Sequence, residues 1–234
     1  MKVAIHQPQY MPWLGYLAKW AAADVFVLLD TVQYEKNGWQ NRNRIKARDG
    51  AAWLTVPVHA PFGTKIRDVT IAAEEPWRRR HLAAIEHAYA AAPCYDRFRY
   101  GIAALYAREW LGLAELAEAS ARWLADAFDI RTPARRASEI GDPGVTDATA
   151  RLVSLCRALG GDTYLAGREG TNYMDLSQFE AACITVLSQS YEPPVYRQCH
   201  GVFIPNLSAI DLLLNEGPSG RALMTAGDRW ITSR

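Results

Sequence analysis

The chain opens with a short β-prone run, Lys2 to Ile5, broken by Pro8 and Pro12; apolar residues then recur at helical spacing from Trp13 to Ala23, and Asp24 to Leu29 is a continuous apolar run bounded by acids. Strand, turn, helix, strand is the grammar of a βαβ unit, and a strand without alternation is one buried on both faces. Ala52 to Val58 alternates, with Pro57 marking an edge or an end, and a further short strand is expected at Val69 to Ile71. From Pro76, placed like a first-turn proline, the period becomes helical: Trp77, His81, Ile85 and Ala88 share one stripe, closed by Pro93. Leu116, Ala119, Trp123 and Ala127 share another. This predicts a helical insertion over 76–130 within one domain formed by 1–75 and 131–234.

Arg131 to Ala150, rich in Pro, Gly, Asp and Thr, ends the helical part. Ser138 and Glu139 are expected to close an edge strand, and Thr146 or Asp147 to cap a helix carrying Leu152, Leu155, Cys156 and Leu159. TYLAG then reads as a buried strand, Leu176 to Ala182 as a helix and CITVLSQ as another strand. Ser208, with Asp211 three residues on, has the spacing of a capping box for AIDLLLNEG, which Gly217 ends. Strands alternating with helices at both ends of the chain predict an α/β fold: a mostly parallel, Rossmann-like sheet with helices on both faces.

At 234 residues the chain suits one large domain. A formal net charge of +1 argues against nucleic-acid binding by bulk electrostatics. No apolar run reaches the roughly 20 residues that span a bilayer, and the start has no signal-peptide core, so a cytoplasmic protein without a membrane partner is expected. Cys94, Cys156, Cys183 and Cys199 form no CxxC pair, which makes a structural zinc site unexpected. Cys156 and Cys183 read as buried small hydrophobes, and Cys199, beside His200, is the one thiol in a polar neighbourhood.

In parallel sheets ligands bind beyond the carboxyl ends of the strands, and polar residues collect there. His6, Gln7 and Tyr10 follow the first strand, and Gly15 and Tyr16 open the helix; Gln33, Lys36, Asn41, Arg42 and Arg44 follow the second. Lys65 lies in a loop able to form a lid. Gly167, Gly170 and Tyr173 follow TYLAG, where backbone NH groups could cradle an anion beside Arg168, and Gln198, Ser208 and Asp211 lie in the tail. Among His6, His59, His200, Asp30 and Glu35, His6 is the expected acid–base residue because it ends a central strand. Guanidinium and amide groups in the second loop suit a ligand with phosphates and hydroxyls.

The strings IHQPQYMPWLGYL, DVFVLLDTVQYEKNGWQNRNRI, WLTVPV, YLAGREGTNYMD and FIPNLSAIDLLLNEG resemble the WbqC-like family of bacterial polysaccharide and natural-product gene clusters, in the family's order. The opening also resembles the strand–turn–helix of HUP-type nucleotidylyltransferases and pantothenate-synthetase-like ligases, with Gly15-Tyr16 where a Gly-His pair would stand. The resemblance implies amide-forming acyl transfer, glycyl or aminoacyl, to an amine such as a nucleotide-linked amino sugar. His6 would be the base, with Lys36 and Arg42 catalytic through phosphate and oxyanion contacts. The donor would be an adenylate made from ATP with magnesium, or the thioester of a carrier-protein partner; no metal ligands are identified. Two alternatives stand beside this reading: a nucleotidyltransferase that activates a small molecule, and a non-catalytic nucleotide-sugar binding protein.

Overall fold

The computed structural model describes residues 1–141, 144–167, 170 and 174–233. Strand β1 (Lys2–His6) leads through a loop into helix α1 (Leu14–Ala22) and on to β2 (Val25–Leu28), which pairs with β1 in parallel. Two antiparallel hairpins follow, β3 (Arg42–Ala47) with β4 (Gly50–Thr55) and β5 (Val58–His59) with β6 (Thr70–Ile71). Three helices come next, α2 (Trp77–Tyr89), α3 (Tyr95–Ala107) and α4 (Leu113–Ala127). The chain then runs through β7 (Ala134–Arg136), α5 (Ala137–Ile140), α6 (Ala148–Ala158), β8 (Thr163–Ala166), α7 (Leu176–Ala181), β9 (Thr185–Tyr191), α8 (Ile210–Glu216), α9 (Gly220–Ala226) and β10 (Asp228–Thr232).

Six strands join in one sheet of order β10-β9-β8-β1-β2-β7, parallel except for β10. Alternation along the strands explains its two cores. Val3, Ile5, Val27, Tyr164 and Val186 face Leu155, Cys156 and Phe179 on one side. Ala4, Phe26, Leu28 and Leu165 face Leu17, Trp20, Leu124 and Leu213 on the other. Trp20 stacks on Phe26 at 4.5 Å, and each such buried side chain contributes about 1.5–3 kcal/mol. The α/β, mostly parallel expectation is thus observed. The chain runs β1, β2, β7 outward on one side and β8, β9, β10 on the other, so the order reverses between β1 and β8. That reversal is where an open sheet parts to leave a crevice.

Several local expectations change. Residues 42–47 do not continue a polar loop: Asn43 and Ile45 point inward opposite Leu54 and Ala52, and the buried Asn43 amide is satisfied by the Met11 carbonyl and the Arg44 NH. Ser138 and Glu139 lie in α5 because the Asp30 carboxylate binds the Ser138 NH at 3.0 Å and its hydroxyl at 2.6 Å, capping the helix from another element. Asp147 caps α6 through the Ala150 NH. Ser208 and Asp211 form no capping box, since the Asp211 carboxylate accepts from Tyr89 and Tyr196 instead. Pro76 stands one residue before α2. On α4 Leu116 is fully buried as expected, together with Leu113, Ala117, Ala121 and Leu124, while Ala119, Trp123 and Ala127 lie at the flank of that face. Cys183 is exposed, at φ +56° in the turn before β9.

Candidate functional site

His6 ends β1 at the reversal point, and its imidazole lies edge-on to the Tyr16 ring at 4.8 Å. Its Nδ1 is 3.2 Å from the Gln7 carbonyl. A carbonyl only accepts, so Nδ1–H donates and Nε2 keeps its lone pair. Burial, reinforced by the charge of Lys19, lowers the His6 pKa to about 3, so the ring is neutral at physiological pH.

Lys19 was not singled out by sequence reasoning. Helix α1 is buried from Leu14 through Trp20, which leaves its one lysine no face on which to reach water. The ammonium donates to the Ile5 carbonyl at 3.1 Å, and a Cβ added to Gly167 would stand 3.9 Å from it. Lys19 is therefore bonded to β1 and lies near Gly167, just after β8, at the reversal point. Burial lowers its pKa to about 7, partly offset by Asp228. Asp228 in turn accepts from Gln189 at 2.8 Å and from the Trp230 indole at 3.1 Å. The available signal was a lone cation inside a nine-residue apolar helix.

The loops after β1 and β2 are tied together: Gln40 Nε2 donates to Gln7 Oε1 at 2.7 Å, and the Tyr10 NH donates to the Gln40 carbonyl. Buried polar atoms without a hydrogen-bond partner concentrate in these loops. They include Gln9 Oε1, Gln40 Oε1 and Asn41 Oδ1, the last oriented by its NH2 group donating to the Val56 carbonyl. All three are acceptors, and an unmet buried acceptor costs about 1–3 kcal/mol. Such a set suits a ligand rich in N–H or O–H groups.

Other expected site residues stand as follows. Tyr10 is in the core: Tyr106, Tyr10 and His81 form a hydroxyl–hydroxyl–Nδ1 chain at 2.5 and 2.9 Å. His81 Nε2–H ends that chain on the Thr55 carbonyl. Gly15 has no room for a side chain, since a Cβ would lie 2.4 Å from the Trp13 ring, and its carbonyl accepts from Gln189. The Tyr16 hydroxyl is buried beside the Gln9 backbone. Lys36 and Gln33 are exposed, and Gln33 bridges through its backbone to Lys65. Arg42 and Arg44 lie on the outer face of β3, over Trp53. The Gly170 NH is bonded to the Gly167 carbonyl, and Tyr173 and Arg168 lie outside the described residues.

The tail residues assemble elsewhere. Gln198 is engaged at both ends by Ile204, and Asp211, fully buried, accepts from Tyr89 at 2.8 Å and Tyr196 at 2.7 Å. The Ser208 NH binds the Arg44 carbonyl. These contacts fasten α8 and the 198–206 loop to α2 and β3. A recess of about 530 Å³ lined by Phe179, Glu180, Cys183 and Thr185 lies at the amino ends of the strands, away from His6. Among the described residues no group of three His, Cys, Asp or Glu side chains is placed to hold a metal, and no helix is long and apolar enough to cross a membrane.

A sequence model of the WbqC-like protein family matches residues 7–222. An uncharacterized protein of Mycobacterium tuberculosis is 34% identical over 221 residues, covering 92% of this chain and 94% of that protein. No solved structure matches.

Proposed function

We propose a function from one premise: this chain belongs to the WbqC-like protein family. It forms an amide by acyl transfer to an amine, and the acceptor is an amino sugar carried on a nucleotide. The observation that supports this most is the concentration of unmet buried acceptors, Gln9, Gln40 and Asn41, in the loops that flank the free Nε2 of His6. An amine among hydroxyls offers the donors such a lining lacks.

In this reading His6 Nε2 accepts a hydrogen bond from the attacking amine and holds its lone pair toward the acyl carbon. The C–N bond forms as the carbonyl π bond opens to a tetrahedral intermediate, which collapses as the bond to the leaving group, an adenylate phosphate or a carrier thiolate, breaks. The amine proton becomes acidic once nitrogen carries positive charge in that intermediate, and Nε2 relays it toward the departing phosphate or thiolate. Arg42 and Arg44, with Lys36, face the phosphates.

The purified chain, given ATP, glycine, labelled pyrophosphate and an amino-sugar acceptor, should yield an amide product by mass spectrometry. Pyrophosphate exchange identifies the adenylate route, and product from a loaded carrier protein alone identifies the thioester route. Replacing His6 by Ala should lower turnover by about two to four decades. Sustained pyrophosphate release with no amine acceptor present, beyond the one equivalent that adenylate formation gives, would point to nucleotidyl transfer instead. Thermal stabilisation by ligand with no product from either donor would leave only a binding role.

A further inference from the structure

The outer face of the β3–β4 hairpin carries two tryptophans that the acyl-transfer chemistry leaves unused, beside the two arginines it assigns to phosphates. Trp39 is 45% and Trp53 48% exposed, and their rings lie 5.7 Å apart at 30°. Two indoles left half in water beside each other forgo apolar burial that an inward position would supply. The strand register adds charge to this patch. Arg44 is paired with Trp53 across the hairpin, Arg42 lies two residues along the same face, and their guanidinium carbons stand 5.7 and 4.5 Å from the Trp53 ring. Arg42 also reaches Asn37, and Arg44 has a 3.5 Å contact with the Asn206 carbonyl. Among the described residues neither has a carboxylate within salt-bridge distance, and each has a buried Nε without an acceptor. The patch runs directly into Gln40 and Asn41, and so into the loops around His6.

We propose that Trp39, Trp53, Arg42 and Arg44 form the seat of a nucleoside diphosphate, its base against the indoles and its two phosphates on the guanidiniums. Aromatic faces stack on any base, and paired guanidinium donors match phosphate oxygens. A neutral sugar would use the indoles and leave the arginines unmatched. The inference rests on the reading above in one respect: the acceptor sugar is linked to a nucleotide, and this seat holds the nucleotide end while the sugar extends toward His6.

The test is calorimetric titration of the full chain with UDP, GDP, uridine, inorganic pyrophosphate, methyl glucoside and a short oligothymidylate. UDP or GDP should bind more weakly as salt is raised and at least tenfold more tightly than uridine. Trp53→Ala should weaken nucleoside diphosphate binding by about five- to hundred-fold while leaving pyrophosphate binding unchanged. Arg42→Ala with Arg44→Ala should weaken both, and Trp53→Phe, checked for folding by its melting curve, should restore most of the affinity lost in Trp53→Ala. Unchanged affinity in Trp53→Ala, no binding of either nucleoside diphosphate at millimolar concentration, or tighter binding of methyl glucoside or the oligonucleotide overturns the proposal. Intact nucleotide binding by the native chain with no amide product from any donor would sink the acyl-transfer reading and leave the seat standing. Amide formation from a free amino sugar without nucleotide affinity would do the reverse.

Discussion

A lysine ammonium held away from water carries a cost that varies with pH, and Lys19 makes this cost measurable. Its pKa falls from 10.5 unfolded to about 7 folded. Between those values the unfolded chain holds a proton that the folded chain has released, so stability should rise with pH from 7 to 10.5 and be lowest below 7. Lys19→Met should raise stability at pH 7 by on the order of 3 kcal/mol, after loss of the Ile5 contact, and should flatten that slope in urea titrations at several pH values. A variant as pH-dependent as the native chain would show that the ammonium is hydrated. The same lysine acts on His6, whose basicity its charge reduces. Turnover should therefore climb through about pH 7 as Lys19 loses its proton, and Lys19→Met should lack that limb in a pH–rate profile. His6 was legible at this scale because it follows a short β-prone run. Lys19 was not, because in a helical pattern a single lysine looks like an exposed position, and only burial of α1 on every side reveals otherwise.

Helices α2 and α8 are joined by a carboxylate, and that joint decides how the tail is placed. Tyr89 ends α2, Tyr196 lies in the loop after β9, and both donate to Asp211 in the first turn of α8. Asp211→Ala leaves two hydroxyls without an acceptor at about 1–3 kcal/mol each, and thermal melts should show a loss of that order. Asp211→Asn, which keeps one acceptor oxygen, should lose less. Equal stability of Asp211→Ala and the native chain would mean that the tyrosines find other partners. The spacing of Ser208 and Asp211 reads as a local cap, but local spacing cannot register two tyrosines more than a dozen residues away in sequence. Hairpin β3–β4 teaches the same lesson with the opposite sign. RNRIKA has strand alternation, but its two outward arginines and the inward Asn43 disguise it as a loop until Leu54 and Ala52 are found opposite.

At the scale of the molecule, folding keeps His6 and His81 neutral, with pKa values lowered to about 3 and about 4. Both are near 6.5 in the unfolded chain, so the stability that depends on their neutrality is present above pH 6.5 and is lost as pH falls toward 4 and then 3. Equilibrium unfolding should show a steep acid decline starting below pH 6.5. His81→Gln should soften it, and a decline unchanged in that variant would assign it to carboxylates instead. By itself the sequence determined what repeats locally: the βαβ opening, the alternation of strands and helices, the buried stripe on α2 and the placement of a histidine at a strand end. These follow from side-chain period and from proline and glycine geometry, which neighbours in the chain impose on one another. Only the tertiary structure decided the strand order that reverses between β1 and β8, the burial of Lys19 against Gly167, and the separation of Gln198 and Asp211 into a structural joint. Each depends on contacts between residues far apart in the chain, where competing partners of similar chemistry are chosen by packing and by the need to satisfy every buried polar group.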